Sequence, residues 1–531
     1  MGKKRLGVQA REATLACALI IFSAACALAQ RGGASATYSN PAVAGDYPDP
    51  SVIRVGNDYW ATATSSEWAP EFPILHSRDL VNWETVGAVF QKRPAWSNGN
   101  YWAPEISEYR GRYFVYYVGH KKEGSLCVAV ATATRPSGPY TDHGPLVCQD
   151  AGSIDPVPVT DEQGERYLVW KEDGNSRQQP TPIWAQRLSN DGTRLVGDKR
   201  ELIRNDAAWE AQLVEGPFIL TRAGWFYMFY SGNACCGREC NYALGVARSR
   251  KLLGPWEKNP QNPILKGNET WKCPGHGSIV SDTRGRDYLL YHSYKAKDFV
   301  YVGRQALLDE VKWSARGWPT INNGQGPSGR APSPLGARES NAEYAFFDDF
   351  NSTQLRPGWQ WPQANEPQVS VELTRGGSWL ALSPKTTGAG DNPGAVIARS
   401  TTVGDYVATT LVDTREMPAG FAAGLSAYGD AENALGITIG GSKIFVWKRE
   451  KNNNTQVAEA DALTGPRTYL RMTARDGHRF RFAVSGDGRN WKDVGGETDG
   501  SYLPPWDRGV RVALTSGGAA RFDWLRITPS R

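Results

Sequence analysis

Asp49 and Asp155 each precede a proline at the head of a short apolar run, in "DPSVIRV" and "DPVPVT", and Glu215 stands directly before "GPFILT". Met singly, an Asp before Pro is an ordinary way to start a turn. Three acids at matched places in a recurring phrase say more, because they are carboxyl groups that a fold can gather. Gathered carboxyls raise one another's pKa and burial adds to the shift, so one keeps its proton while another stays ionised. That division of labour suits hydrolysis of a glycosidic bond, where one carboxyl protonates the leaving oxygen and the other activates water.

The elements that must position these acids form a repeat. Five copies of one phrase follow each other: "DPSVIRVGNDYW", "APEISEYRGRYFVYY", "DPVPVTDEQGERYLVW", "GPFILTRAGWFYMFY" and "HGSIVSDTRGRDYLLY". Each reads as a short apolar strand, a Gly-containing turn and an aromatic strand, which is a hairpin signature. The aromatic strands begin near Tyr59, Tyr113, Tyr167, Phe226 and Tyr288, a spacing of 54 to 62 residues that suits a four-stranded blade with long loops. Five such units predict an all-β, five-bladed β-propeller. The first strand of each blade then lines a central channel, and the residues opening the five phrases, Asp49, Ala103, Asp155, Gly216 and His276, converge at one mouth with Glu215 beside the fourth.

In order and spacing, "YPDPS", "WAPEI", "SIDP", "VEGPF", "PGHGS" and "VGRQ" resemble the motifs of glycoside hydrolase family 43, arabinan- and xylan-degrading five-bladed propellers, over residues 38–320. The resemblance implies Asp49 as general base, Glu215 as general acid and Asp155 as the group that tunes the Glu215 pKa and orients the sugar. It implies inversion, with acid and base about 6.5–9.5 Å apart. Arg304 would reach sugar hydroxyls in the deepest subsite. His276 would sit near the channel axis, holding a water or serving as the metal ligand for a bound calcium; no cofactor is otherwise required. Trp102 is expected to stack on the sugar or to pack between blades. Trp68, in "SSEWAPEFP", is expected on a loop at the funnel rim as a further subsite residue. Glu105 is a rival acid, ranked below Glu215 because it falls two residues past its slot. The "NACCGREC" loop departs from the simplest family members and is expected to narrow the cleft.

Residues 322–342 are rich in Gly, Pro and Ser and read as a linker between a catalytic domain at 38–321 and a second domain at 343–531. The second domain shows short alternating strands split by Gly turns, a β-sandwich pattern. It resembles the concanavalin-like jelly roll that follows the propeller in many family members, and it is expected either to bind carbohydrate or to pack on the propeller.

Residues 1–29 read as a secretory signal: a basic head with Lys3, Lys4, Arg5 and Arg11, an apolar stretch over 14–28, and small residues at Ala27-Leu28-Ala29. Cys26 is the alternative, a lipidation site. Cleavage takes four basic residues and Glu12, removing +3 of the formal +5 and leaving about +2. No basic stripe remains for nucleic acid and no later stretch is apolar enough for a membrane span, so the expected protein is a secreted or periplasmic monomer acting on plant cell-wall oligo- or polysaccharide. Of the six remaining cysteines, Cys127 and Cys148 are expected to be neighbours. Cys235, Cys236, Cys240 and Cys273 are expected to cluster as disulfides, with a zinc cluster including His276 as the lesser alternative. Two other functions fit the same fold. A lectin propeller would not need three acids, and a fructan-active retaining relative usually shows Arg before the middle acid, where this chain has Ile154.

Overall fold

The computed structural model describes residues 2, 36–337, 344–374, 377–385, 393–413, 415–465, 467–504 and 506–530. The signal reading at 1–29, apart from Gly2, lies outside the described residues.

Five antiparallel four-stranded sheets follow one another along the first 321 residues. Their first strands are Ser51–Val55, Trp102–Tyr109, Ser153–Thr160, Val214–Arg222 and Trp271–Ser281. Each touches the next and the fifth touches the first, so the blades close into a ring around these strands. Polar hooks stitch the seams: Val52 N donates to Ser278 Oγ at 2.7 Å between blades five and one, and Ile106 N donates to Ser51 Oγ at 3.1 Å between blades one and two. The second strands, such as Arg112–His120 and Trp225–Gly232, are buried almost throughout, which is why their sequences run apolar and aromatic without alternation.

Residues 322–337, expected as linker, are largely bound to the propeller. Arg330–Pro332 pairs with Thr37–Ser39, and Asn40 donates to Leu308 O and Ser328 O at 3.0 and 3.1 Å. The segment therefore fastens the two ends of the ring together. Of the expected linker, only 338–342 lie outside the described residues.

The second domain is a sandwich of two antiparallel sheets. One runs Ala395–Ser400, Arg511–Ser516, Ala423–Tyr428, Ala434–Gly440, Lys443–Glu450, Asn453–Asp461; the other is centred on Ala520–Pro529, Tyr406–Asp413 and Arg467–Arg475. Alternate residues such as Leu435, Ile437 and Ile439 face the shared core with Leu470, Phe482 and Phe522.

The sandwich seats directly on the propeller. Trp68–Ala69 pairs with Trp361–Pro362, and the Trp68 ring is 2% exposed among Val396, Ala398, Tyr428 and Trp447. The Arg511 guanidinium covers that ring at 4.3 Å from its centroid. The expectation for Trp68 is thereby corrected. It is a core residue of the domain interface rather than a rim residue, because the loop that carries it ends against the second domain instead of in solvent. Asp46 makes a second clamp, accepting Arg304 N at 3.2 Å and Gly509 N at 3.0 Å.

Candidate active site

The five residues that open the repeated phrases share one backbone state. Asp49, Ala103, Asp155, Gly216 and His276 have φ of 52°, 44°, 56°, 56° and 37°. In blades two to five the pairing of first and second strands skips at this place, between Trp102 and Glu105, Ile154 and Val157, Glu215 and Phe218, and around Gly275 to Gly277. A bulge with one left-handed residue re-aims the side chains beside it. For residues other than glycine that conformation costs roughly 1–2 kcal/mol, a strain usually kept where geometry matters. At the fourth slot only glycine fits: a Cβ on Gly216 would lie 2.8 Å from His276 Cγ.

Asp49, Asp155, Glu215, His276 and Arg304 meet in one largely buried cluster at these turns. Asp49 Oδ2 accepts from Thr64 Oγ1 at 2.7 Å, while Oδ1 faces Arg304 Nη1 at 3.1 Å and His276 Nδ1 at 3.4 Å. Burial alone would raise its pKa, but Arg304 and His276 outweigh burial and hold Asp49 well below the usual carboxylate range. His292 Nδ1 lies 3.1 Å from both Asp49 N and Asp49 Oδ1. Burial pushes the His292 pKa down to about 4, so at neutral pH the ring is uncharged, accepts the Asp49 N–H and stacks on Tyr242 at 5.7 Å.

The other two acids sit in opposite electrostatic settings. Glu215 Oε2 meets Lys171 Nζ at 2.8 Å, and its Oε1 accepts from Tyr242 Oη at 2.9 Å. Burial works against these two partners, yet they hold the Glu215 pKa low. Lys171 is itself bracketed by Asp173 at 2.8 Å. Asp155 Oδ2 accepts from Gly216 N at 2.8 Å. Burial first, and then the neighbouring Glu215 and Asp49 charges, raise Asp155, to about 6, against the pull of His276 and Lys171. In this ligand-free arrangement a proton shared by the pair therefore resides on Asp155. Two ionisable groups coupled in this way titrate as a unit.

Glu105 does not join the cluster. Burial lifts its pKa to about 8, opposed by the Ser51 hydroxyl, whereas the groups that set the three acids are Arg304, His276, Lys171 and Tyr242. Trp102 is half-buried, and its ring meets Trp506 of the sandwich edge-on at 5.9 Å. The loop with Trp506 also sends Asp507 to within 3.6 Å of Arg304 Nη2 and 3.4 Å of Ser66 Oγ.

Lys171, Tyr242, His292 and Asp507 are site residues that sequence reasoning missed. Lys171 in "YLVWKE" and His292 in "YLLYHSY" carry a usable signal, a charged or titratable residue closing a run that a blade buries. Asp507 gives none, since nothing local ties it to another domain. His276 Nδ1 faces Asp49 Oδ1 at 3.4 Å, beside Arg304. Among the described residues no three His, Cys, Asp or Glu side chains are grouped to hold a metal, and Arg304 and Lys171 already supply positive charge to the carboxylates. The cysteines pair as Cys127–Cys148, Cys235–Cys236 and Cys240–Cys273, so the cluster is built of disulfides rather than zinc ligands.

Known proteins share this construction. The profile of Glycosyl hydrolases family 43 matches residues 38–319, and that of the Beta xylosidase C-terminal Concanavalin A-like domain matches 347–528. The chain is 27% identical over 498 residues to Xylosidase/arabinosidase 43B of Humicola insolens, covering 87% of this chain and 90% of that protein. It is 27% identical over 318 residues to the extracellular exo-alpha-(1->5)-L-arabinofuranosidase ArbA of Cellvibrio japonicus, covering 52% of this chain and 86% of that one. Among solved structures, BlXynB from Bacillus licheniformis superposes with a TM-score of 0.80 at 25% identity, over 93% of this chain and all of that one, 100%.

Proposed function

On the premise that the chain belongs to glycosyl hydrolases family 43, we propose that this glycoside hydrolase removes β-D-xylosyl or α-L-arabinofuranosyl units from the ends of plant cell-wall glycans, with inversion. The observation that carries the reading is the buried set of three carboxylates in three different settings, with Arg304 across Asp49.

Asp49 is assigned as the base. Arg304 and His276 keep it ionised far into the acid range, and Thr64 on Oδ2 with Arg304 on Oδ1 fix its plane, leaving the second lone pair of Oδ2 to take a proton from an attacking water. The proton for the leaving oxygen belongs to the Asp155/Glu215 pair. Asp155 holds it, and Glu215, lying between Lys171 and Tyr242, delivers it to the leaving oxygen. Arg304, buried and paired on both sides, supplies donors to sugar hydroxyls in a fixed fork.

Action at a chain end is the finer part of the proposal. The sandwich loop with Trp506 and Asp507 stands against Trp102 and Arg304, and this contact of a second domain with the site supports the end-acting reading. Export is part of the same proposal: the signal-like residues 1–29 and three cystines suit an oxidising compartment, and no described helix is long and apolar enough to cross a membrane. The test is hydrolysis of xylobiose, linear arabinan and arabinoxylan, with product size and anomeric configuration followed by NMR. Monosaccharide released with inverted configuration is expected. Retained configuration, or a ladder of oligomers at early times, would overturn the mechanism or the end-acting geometry respectively.

A further inference from the structure

Tyr242 and His276 make two of the contacts that define the acids, Tyr242 on Glu215 at 2.9 Å and His276 on Asp49 at 3.4 Å. Neither is held by a regular ladder. Tyr242 lies just before the strand Ala243–Ser249 begins, after a stretch, 233–241, that contains no strand. His276 lies where pairing of Trp271–Ser281 with Asp287–Lys295 skips from Lys272 to Gly275 and again from Gly275 to Gly277. One covalent bond crosses this gap. Cys240, two residues before Tyr242, is bonded to Cys273, three residues before His276, with Cα atoms 6.0 Å apart. Cys273 is buried and Cys240 partly buried, packed in one cluster with Leu213, Tyr242, Tyr294 and Val300. Further in, Gly275 admits the Tyr242 ring so closely that a Cβ there would lie 2.4 Å from it.

We infer that the Cys240–Cys273 disulfide is a positioning element of the active site, fixing Tyr242 against Glu215 and His276 against Asp49 across two breaks in the sheet. The inference rests on the assignment of Glu215 and Asp49 above. Its role differs from that of Cys127–Cys148, which joins the strand Leu126–Ala133 in blade two to Cys148. It differs also from that of Cys235–Cys236, which closes between adjacent residues and bridges no two segments. Reduction breaks one S–S bond, takes two electrons and two protons from a dithiol reductant, and leaves two thiols and the reductant's cyclic disulfide.

The experiment compares Cys240→Ala/Cys273→Ala with Cys127→Ala/Cys148→Ala and with wild type on xylobiose and on an aryl β-xyloside. The first pair should lose about tenfold or more in kcat on xylobiose, much less on the aryl substrate, and its pH profile should shift, because the proton donor is what has been loosened. The second pair should lose melting temperature without changing the ratio between substrates. An unchanged ratio and pH profile in the first pair, or the same change in both pairs, would overturn the inference. Hydrogen exchange of wild type with and without dithiothreitol supplies a readout independent of catalysis and of whether the variant folds. Faster exchange confined to 233–242 and 271–278 on reduction is expected, and unaltered exchange there overturns the inference. A wild-type protein that cleaves neither xyloside nor arabinofuranoside would instead overturn the underlying assignment, with the exchange result still deciding the role of the disulfide.

Discussion

Arg304 Nη2 lies 3.6 Å from Asp507 Oδ2, so the guanidinium that faces Asp49 in the propeller is held from behind by a carboxylate of the sandwich. Both side chains are buried, and a buried charge that loses its partner is costly. Asp507→Asn should therefore let Arg304 settle more fully on Asp49 and away from the sugar. The expected result is a KM raised several-fold with a smaller change in kcat, and a stability loss of about 1–2 kcal/mol because Arg304 keeps one partner. Steady-state kinetics and urea unfolding check it. Wild-type KM in a folded Asp507→Asn protein would separate the sandwich from substrate binding.

Lys171 lowers the pKa of both Glu215 and Asp155. Replacing it by Met keeps the length of the side chain and removes the charge, so both acids should hold a proton to higher pH. The sign follows directly: the active form carries the proton, and the alkaline limb of kcat/KM should move upward by about one unit or more. The maximal rate should fall, since Glu215 loses the partner that aims it. An alkaline limb that stays in place or moves downward contradicts the shared-proton reading.

Glu71 makes a prediction about stability rather than catalysis. It is fully buried near the domain interface, neither carboxyl oxygen has a hydrogen-bond partner among the described residues, and burial raises its pKa from 4.5 to about 7. Well below pH 4.5 the group is protonated folded and unfolded and makes no pH-dependent contribution. As pH rises toward 7 the unfolded chain releases its proton while the folded chain retains it, so stability falls by up to about 3 kcal/mol. Glu71→Gln should match wild type near pH 4 and exceed it by about 1–3 kcal/mol at pH 8. Chemical unfolding at the two pH values decides, and equal stabilities at pH 8 would mean that Glu71 finds a partner in solution.

The propeller was legible because its signal is repeated. Five copies of one hairpin, with an odd residue at the same place in each, predict both the ring and the convergence of Asp49, Asp155, Glu215 and His276, and the shared left-handed φ is the physical content of that odd residue. The parts that escaped are those fixed across long stretches of chain. Trp68 reads as a rim residue because a loop tryptophan looks exposed until a second domain covers it, and Asp507 reaches Arg304 only through that same docking. Asp155 and Glu215 were legible as acids but not as to which holds the proton. That depends on Lys171, the last buried residue of the strand Arg166–Glu172, and on an N–H from Gly216.

The roles of Asp49 and Glu215 are separable by the leaving group. Glu215→Gln removes a proton donor but keeps the shape of the side chain and its contacts with Lys171 and Tyr242. A sugar alcohol leaves poorly without a proton, so hydrolysis of xylobiose should fall by about 10²–10⁴-fold. An activated aryl glycoside departs as a stable phenolate, so its loss should be much smaller. Asp49→Asn removes the base that activates water, and no leaving group replaces that function, so both substrates should fall together. It also leaves Arg304 with a neutral neighbour, which should weaken binding of the sugar no more for one substrate than for the other. Asp155→Asn should lie between the two, shifting the pH profile because the pair can no longer store its proton. The contrast is read as the ratio of kcat/KM on the two substrates: large for Glu215→Gln, near the wild-type value for Asp49→Asn. If both variants lose activity equally on both substrates while chemistry is rate-limiting, Glu215 is not the donor, and the acid must be sought elsewhere in the same cluster.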